Sequence, residues 1–288
     1  MYEGLDGPVK CEVCPHHCTI PEGKKGKCRA RGTINGRNVP LNYGIISSIA
    51  LDPIEKKPLR RFYPGSMILS VGSYGCNLNC PFCQNWEISM TDGGNISRED
   101  RKDYLPPERL AEMAEELRTR GNIGVAFTYN EPTVCYEYVL DTSKLLKKRA
   151  LKSVLVTNGC VEERIAKEIL PYIDALNIDL KCFDRETYTK TLGGDLSTVM
   201  RFIEMAAASC HVELTTLVVP GVNDTEAEMR SICDWIASLP HGNEIPLHIT
   251  RFFPRYRMRD REATDRRKVM KLTDIAKEKL TYVYPGNL

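Results

Sequence analysis

The sequence predicts an α/β fold in which a partial or full parallel (β/α) barrel follows a small cysteine-rich N-terminal module. From residue 67 onward, short apolar runs alternate with longer amphipathic stretches, which is the rhythm of βα units. The short runs are continuously apolar, which indicates strands that a parallel sheet buries on both faces. Polar residues follow successive runs, as they do at the rim of a barrel. We therefore predict a module at residues 1–66 and a barrel at residues 67–288.

Six strands are predicted from apolar runs bounded by polar or turn residues. In chain order they are residues 67–71, 123–128, 153–157, 175–180, 212–219 and 246–250. The polar groups that follow them are, in the same order, three cysteines, Thr128-Tyr-Asn-Glu131, Thr157-Asn-Gly159, Asp179-Leu-Lys181, Asn223-Asp224 and His248 with Arg251. Periodicity alone does not separate an open doubly wound sheet from a barrel. One curved sheet with a shared mouth accounts for all of these polar groups at once.

Helices are predicted between the strands, where apolar residues recur on one face at helical spacing. In chain order they span residues 107–117, 135–148, 162–170, 198–208, 225–236 and 265–279. The first begins with Pro107 in its first turn and stops at Gly121. The fifth opens with the capping box Thr225-Glu-Ala-Glu228 and has to end before Pro240. Helices of this kind would cover the outer face of the sheet.

The composition disfavours several classes of protein. A formal net charge of +2 gives no overall field that would gather a polyanion, so nucleic-acid binding is not favoured. No apolar stretch reaches the length of a membrane span, and the first residues form no apolar signal region. We therefore expect a cytoplasmic protein without membrane association. In that reducing compartment, 12 cysteines indicate metal or redox chemistry and not a disulfide framework.

Three cysteines with the spacing C-x3-C-x2-C, Cys76, Cys80 and Cys83, stand where the first predicted strand opens into a loop. A structural zinc site is normally closed by four ligands, so three thiols without a neighbouring fourth ligand make a poor zinc site. An iron–sulfur cluster held by three thiolates leaves one iron open for an outside ligand. The sequence therefore favours an iron–sulfur cluster at this loop, with zinc or buried free thiols as the alternatives.

The same motif resembles the signature of radical S-adenosylmethionine (SAM) enzymes, in which an aromatic residue commonly precedes the last cysteine, as Phe82 does here. The resemblance implies a barrel of radical SAM type, a [4Fe-4S] cluster and SAM, whose methionyl amine and carboxylate chelate the open iron. In that family the reduced cluster cleaves SAM to methionine and a 5′-deoxyadenosyl radical. The radical then abstracts hydrogen from an unactivated C–H bond.

Residues at the predicted rim extend the resemblance to pyruvate formate-lyase activating enzymes. Asn130-Glu131 stands where those enzymes have a Gly-Gly-Glu motif that contacts the amino group of SAM, so the carboxylate is kept and Asn130 offers an acceptor. Thr157 and Asn158 stand where the family meets the SAM ribose. Without the resemblance, Glu131 would be a charge at a helix N-terminus and residues 157–159 a turn after a strand. Both interpretations stay open.

Three later segments complete the predicted SAM site. Asp179-Leu-Lys181 resembles the Asp-Leu-Lys of activating enzymes, with Lys181 placed to pair with the SAM carboxylate. Val219 belongs to a segment similar to the one whose apolar residues lie against the adenine, and His248 resembles the histidine of the sixth strand. The alternatives are a surface ion pair, a turn before a helix, and a hydrogen-bonded core histidine.

Four cysteines of the N-terminal module, spaced C-x2-C-x3-C-x9-C, are sufficient for a closed tetrahedral metal site. They are Cys11, Cys14, Cys18 and Cys28. His16 or His17 could replace one of them as a ligand. A bound metal would help so short and glycine-rich a module to hold its fold. Zinc and a second iron–sulfur cluster both stay open.

Together the motifs resemble the radical SAM member of the AmmeMemoRadiSam system, named for its association with Memo-domain and AMMECR-domain proteins. The resemblance covers residues 11 to about 286. It implies those two kinds of partner, an electron donor such as flavodoxin or ferredoxin, and an activity like that of the activating enzymes of glycyl-radical enzymes. Members of the group often continue beyond the equivalent of Gly286-Asn287 into a short Thr-Tyr-Cys-Pro-x-Cys tail, and this sequence departs from them there.

Two other functions stay open. Arginines and aromatic residues are interleaved between residues 251 and 268, a pattern that would suit RNA, although acidic residues dilute the positive charge. A solvated helix face or a docking edge also explains that stretch. Radical chemistry on RNA or on a small molecule is therefore one alternative to activation of a protein. The other is a metal-cluster adaptor for Memo-domain and AMMECR-domain proteins that does not cleave SAM.

Overall fold

The computed structural model describes residues 7–94 and 103–288, and an eight-stranded sheet forms its centre. The strands of the described residues are, in chain order, β1 (Val9–Lys10), β2 (Thr19–Ile20), β3 (Arg31–Ile34), β4 (Arg37–Pro40), β5 (Ser48–Pro53), β6 (Met67–Gly72), β7 (Asn122–Phe127), β8 (Lys152–Thr157), β9 (Ala175–Asp179), β10 (His211–Val218), β11 (Leu247–Arg251) and β12 (Val283–Gly286). The sheet follows chain order from β5 to β12, with β5 antiparallel to β6 and every later neighbour parallel. Its two edge strands are not paired with each other in the described residues, so the sheet is a partial barrel.

Helices fill the connections between the parallel strands. The α-helices of the described residues are α1 (Trp86–Ser89), α2 (Pro107–Glu116), α3 (Tyr136–Lys148), α4 (Glu163–Ile169), α5 (Leu196–Ala207), α6 (Glu226–Ser238) and α7 (Arg266–Lys277). Short 3-10 segments lie at Ile54–Lys56, Leu117–Arg120, Pro132–Cys135, Leu170–Tyr172 and Gly242–Glu244, and a π-helical turn lies at Thr187–Leu192. Within residues 7–94 and 103–288, no helix combines the length and the apolarity needed to cross a membrane.

The fold class that the sequence predicts is confirmed. The predicted strands correspond to β6 to β11, with every bound within one residue, and the predicted helices correspond to α2 to α7. Thr225 caps α6 by accepting a hydrogen bond from the amide of Glu228, as the capping box predicts. Six strands are too few, because β5 and β12 also join the sheet. The sequence of β12 contains Pro285 and Gly286, which are compatible with a strand at the edge of a sheet, and β12 is an edge strand.

A segment between β5 and β6 fills the interior of the barrel. Leu59 is fully buried there, and Pro58 accepts a hydrogen bond from Asn177 Nδ2 at 2.9 Å. Glu213, on β10, accepts hydrogen bonds from the backbone amides of Arg60 and Arg61. Asn177 and Glu213 lie two positions before Asp179 and Thr215, which line a cavity at the carboxyl ends of the strands, so their side chains also point into the barrel. The segment that they bind therefore closes the barrel beneath that cavity.

The N-terminal module contacts the barrel through polar bonds. Arg31, which is almost fully buried, makes a two-pronged ion pair with the Glu137 carboxylate of α3 at 2.8 and 2.9 Å. His16 Nε2 lies 2.8 Å from the carbonyl oxygen of Asn77, in the cysteine loop (residues 76–83). The division between residues 1–66 and 67–288 stays a prediction, and the pairing of β5 with β6 runs across it.

Candidate active site

A cavity of about 600 Å³, the main cavity, opens at the carboxyl ends of the parallel strands. The predicted site residues that line it are Cys76, Cys80, Phe82, Cys83, Asn130, Glu131, Thr157, Asn158, Asp179, Lys181 and His248. They come from the loops after β6 and β7, from the carboxyl ends of β8 and β9 with the residues that follow them, and from β11. Parallel strands bring their carboxyl ends to one rim, so residues far apart in the sequence meet at one mouth.

The cysteine loop presents its three thiols to the main cavity. Burial raises the pKa of Cys76 well above its usual value, and the neighbouring Glu131 carboxylate adds to the shift. Burial also raises the pKa of Cys80, to about 11, although the Lys181 ammonium opposes the rise. Thiols in such a setting ionise only with a strong positive charge beside them, which bound iron provides.

The three thiols are a donor set that fits a [4Fe-4S] cluster. All of them line one cavity, and the loop carries no fourth ligand of its own. In residues 7–94 and 103–288, no three His, Cys, Asp or Glu side chains converge closely enough to hold a single metal ion. The cysteines of a four-iron cluster bind different iron atoms, so they do not need to converge on one point.

Glu131 is a buried carboxylate that ties two strand ends together. Its Oε1 accepts hydrogen bonds from the amide and hydroxyl of Thr133, at 3.0 and 2.7 Å, and from Thr157 Oγ1 at 2.7 Å. Its Oε2 accepts from the backbone amide of Asn158 at 2.8 Å. Burial raises the pKa of Glu131, and these hydrogen bonds oppose the rise. Glu131 also caps the 3-10 segment Pro132–Cys135, as the helix N-terminal interpretation predicts, and its contact with the SAM amine stays a prediction.

Asn130 uses its side chain to hold the backbone that leads into the cysteine loop. Its Oδ1 accepts from the amide of Ser73 at 2.9 Å, and its Nδ2 donates to the carbonyl oxygens of Tyr74 and Gly75, both at 3.1 Å. The preceding Tyr129 has a φ of +71°, which turns the chain so that Asn130 can reach back. Asn130 therefore fixes the start of the loop.

Thr157 ends β8, and Asn158 follows it beside the cysteine loop. Thr157 Oγ1 donates to Glu131 and accepts from the amide of Gly159 at 3.1 Å, which makes the turn after the strand. The Asn158 side chain donates to Asn77 Oδ1 at 2.9 Å and lies 3.6 Å from Cys76 Sγ. This segment therefore forms the predicted turn and also contacts the cysteine loop.

Asp179 and Lys181 form an ion pair in the wall of the main cavity, with Nζ and Oδ2 3.0 Å apart. Burial lowers the pKa of Lys181, but the nearby charges of Asp179 and Cys80 together outweigh burial and leave that pKa above its usual value. The Lys181 side chain is 17% exposed and the Asp179 side chain 33% exposed. The pair is therefore not the solvated surface pair of the alternative interpretation.

His248 lies in the cavity wall and is bonded to a buried acid. Its Nε2 lies 2.6 Å from Oε2 of Glu213, while His211 Nε2 lies 2.9 Å from Oε1 of the same carboxylate. Burial disfavours the Glu213 charge, but the bonds from His211, His248 and two backbone amides outweigh it and lower the pKa of Glu213 to about 2. The anion fixes the His248 ring against the Tyr284 ring of β12, 5.3 Å away.

Val219 is the one predicted SAM contact of the barrel that lies outside the lining of the main cavity as described. It is fully buried, and its amide donates to Asn223 Oδ1 at 2.7 Å. Strand β10 ends at Val218, so the alternation of inward and outward side chains stops before Val219. Leu217, which still belongs to the strand, lines the cavity instead.

The four cysteines of the N-terminal module lie in one region outside the main cavity, but no three of them converge on a single point. Burial raises the pKa of Cys14 to about 12, and the charges of Cys28, Cys11 and Cys18 add to that shift. The amide of Cys76 donates to the carbonyl oxygen of Cys28 at 3.2 Å. The module therefore contacts the cysteine loop directly, while the metal that it would hold stays a prediction.

Several residues that the sequence analysis did not select also line the main cavity. Thr215, Leu217 and Tyr284 do so, and so do Lys56 and Arg60 from the segment between β5 and β6. Glu213 lies directly beneath it. The signal for Glu213 was present in the sequence, because it is a lone acid inside an apolar strand, where a buried charge requires partners.

Several basic residues of the stretch between residues 251 and 268 make hydrogen bonds or ion pairs within the chain. Arg251 Nε donates to the carbonyl oxygen of Thr264, and Arg261 donates to that of Pro220. Lys268 pairs with Asp224. Bonds of this kind hold these charges within the fold, so the stretch does not behave as a free polycation.

Comparisons with known proteins agree with this geometry. The family model described as Radical SAM superfamily matches residues 70–235. An uncharacterized protein of Methanocaldococcus jannaschii is 38% identical over 291 residues, covering 100% of this chain and 84% of that protein. Pyruvate formate-lyase-activating enzyme of Clostridium pasteurianum is 25% identical over 218 residues, covering 72% of this chain and 88% of that enzyme.

A solved structure shares the fold. A crystallised domain of pyruvate-formate lyase-activating enzyme from Bacteroides vulgatus aligns with a TM-score of 0.50 and 18% identity, covering 57% of this chain and 99% of that one. At this identity the likeness concerns the fold alone. The family match over residues 70–235, the similarity to an activating enzyme and the cavity with its three thiols agree, and the chain belongs to the radical SAM superfamily of enzymes, which use a [4Fe-4S] cluster and SAM.

Proposed function

We propose that this chain binds a [4Fe-4S] cluster through Cys76, Cys80 and Cys83, binds SAM in the main cavity, and uses SAM cleavage for hydrogen abstraction, as activating enzymes do. One observation carries the proposal: the three thiols, together with a buried carboxylate and a half-buried ammonium from two further strand ends, line a single cavity. When bound and reduced, the cluster supplies the electron that splits SAM into methionine and a 5′-deoxyadenosyl radical.

The residues around the cavity have the charges that the methionyl end of SAM requires. Glu131 Oε2 accepts one hydrogen bond within the protein, so its remaining lone pair is available to the SAM amine. Lys181 supplies a cation for the SAM carboxylate, and Asp179 holds the ammonium in place until SAM binds. Each charged group is oriented before the ligand arrives, which lowers the cost of binding.

The cavity wall also limits the access of water to the reacting atoms. Phe82 is buried beside the cysteines, and Leu217 supplies an apolar surface on the opposite strand. The segment that carries Leu59 closes the barrel below the cavity. A dry, closed floor protects a reactive radical from quenching by solvent.

The test is an anaerobic assay of SAM cleavage. The purified chain is loaded with iron and sulfide and given dithionite and SAM, and 5′-deoxyadenosine is measured by chromatography. Wild type should form it, and the Cys76→Ala, Cys80→Ala and Cys83→Ala variants should not. The matched control is Cys233→Ala, a buried cysteine of α6 outside the cavity, which should retain activity. A wild-type protein with a complete cluster that forms no 5′-deoxyadenosine would support the adaptor function instead.

We further propose, from the motifs that resemble the AmmeMemoRadiSam group, that the chain works beside Memo-domain and AMMECR-domain proteins and receives its electron from flavodoxin or ferredoxin. Purified candidates would be added singly to the cleavage assay. A partner should raise the yield of 5′-deoxyadenosine, and a true electron donor should replace dithionite. If no candidate raises the yield of 5′-deoxyadenosine and none replaces dithionite, these partners are contradicted.

A further inference from the structure

The side chain of Asn158 belongs to the lining of the main cavity, and its amide group is directed toward the cysteine loop. It is 4% exposed. One bond fixes the orientation of its amide group: Oδ1 accepts from the backbone amide of Cys160 at 2.8 Å, so Nδ2 has to point the other way. On that side Nδ2 faces two acceptors, Asn77 Oδ1 at 2.9 Å and Cys76 Sγ at 3.6 Å.

Both amide hydrogens of Asn158 therefore have acceptors inside the protein. An amide carries two donors, and the two acceptors match that number. The family resemblance implies that Asn158 contacts the SAM ribose. To donate a hydrogen bond to the ribose, its side chain would have to give up one of these two bonds. The backbone amide is also engaged, because it donates to Glu131 Oε2.

We infer that Asn158 is a positioning residue that donates an N–H···S hydrogen bond to the Cys76 thiolate and so raises the reduction potential of the cluster bound there. The inference rests on the proposed function, because it requires that Cys76 ligates a [4Fe-4S] cluster. Reduction adds negative charge that spreads onto the ligand sulfurs, and a donor aimed at one of them stabilises the reduced state. A higher reduction potential makes the cluster easier to reduce, and the reduced cluster supplies the electron that SAM cleavage consumes.

Among the described residues two donors reach Cys76 Sγ, and one of them belongs to a side chain. The backbone amide of Leu78 lies 3.4 Å from the sulfur, and no substitution of a side chain removes it. Asn158 comes from another strand end, so its bond also holds the loop against β8. Replacement of Asn158 therefore isolates the part of the effect that this residue contributes.

The experiment measures the midpoint potential of the cluster by electron paramagnetic resonance during an anaerobic redox titration without SAM. It uses the whole chain as wild type, Asn158→Leu and Asn158→Ser, the serine keeping a hydroxyl that can accept from Cys160. Both variants should have a more negative midpoint potential than wild type. The matched control is Asn79→Leu, which changes an exposed asparagine of the same loop and should leave the potential unchanged.

A second measurement, the dissociation constant of SAM on the same loaded proteins, separates the two roles of Asn158. An unchanged constant together with the lowered potential supports the inference. An unchanged potential with weakened SAM binding would overturn it in favour of a ribose contact. Loss of the cluster from both Asn158 variants, but not from Asn79→Leu, would overturn the tuning role and leave a structural one. If wild type itself binds no cluster, the proposed function is wrong, and the inference about Asn158 is overturned with it.

Discussion

The backbone amide of Cys76 donates to the carbonyl oxygen of Cys28 across 3.2 Å. The first residue of the cysteine loop is thereby bonded to the last cysteine of the N-terminal module. The contact is close because Gly75 precedes it: a Cβ at Gly75 would lie 2.6 Å from both the Cys28 oxygen and the Ala30 Cβ. The two groups of cysteines therefore share one packed boundary.

Gly75→Ala should separate the module from the cysteine loop. The new methyl group would collide with backbone at 2.6 Å, and the φ of +86° is strained for alanine. We expect a loss of several kcal/mol of unfolding free energy and lower iron content after reconstitution. Gly65→Ala is the matched control, because Gly65 has a φ of +83° with no atom near its Cβ position, and should cost about 1–2 kcal/mol. Equal losses in the two variants would show that packing against Cys28 is unimportant.

Cys14→Ala should reduce metal binding by the N-terminal module. Cys14 is a buried thiol among Cys11, Cys18 and Cys28, so its removal takes one ligand from the predicted set. We expect less metal per chain than in wild type, with the cluster signal of the cysteine loop retained. Elemental analysis for zinc and iron, with electron paramagnetic resonance, gives both readouts. An unchanged metal content would refute a metal site in this module, and the identity of the lost metal decides between zinc and iron.

Lys181→Met should weaken SAM binding while the cluster still assembles. The variant removes the cation proposed for the SAM carboxylate, and a charge-assisted hydrogen bond is worth roughly 1.5–3 kcal/mol, or about 10- to 100-fold in the dissociation constant. Equilibrium dialysis of labelled SAM on the loaded protein measures the change. Lys190→Met, which removes an exposed lysine paired with Glu186, is the matched control and should bind SAM normally. SAM binding that is unaffected by Lys181→Met would contradict the assignment.

Glu213 should make the stability of the protein depend on acid pH. Its pKa is lowered from 4.5 to about 2 by bonds that exist only in the folded chain. A lowered folded-state pKa means that the stabilisation is present above the unfolded pKa and is lost as pH falls through the folded one. We expect wild type to lose about 3 kcal/mol from this group as pH falls from about 4.5 to about 2.

Glu213→Gln supplies the comparison for that prediction. The variant lacks the titrating group, so its unfolding free energy should fall less over the same pH range, and it should be less stable than wild type at neutral pH. Denaturant unfolding followed by circular dichroism at several pH values measures both effects. Equal pH dependence in the two proteins would show that other carboxylates dominate acid unfolding. Glu186→Gln, at an exposed helical ion pair, should behave like wild type.

Much of the barrel could be predicted because its signals are local. Burial on both faces makes β6 to β11 continuously apolar, and capping residues mark helix ends such as Thr225. The edge strands gave no such signal. Strand β5 lies in a region whose turns indicated a separate module, and β12 contains Pro285 and Gly286, which disfavour a strand on propensity alone.

By itself the sequence determined the fold class, the bounds of the six inner strands and the rim at which the cysteines and charged residues meet. These properties depend on the apolar runs and on the polar residues that follow each of them along the chain. The tertiary structure decided that Leu217 and not Val219 faces the cavity, that Glu213 bridges two histidines, and that the Asn158 amide points at Cys76. The direction of a side chain at a strand end depends on neighbours that are distant in sequence, because the regular alternation of the strand stops there.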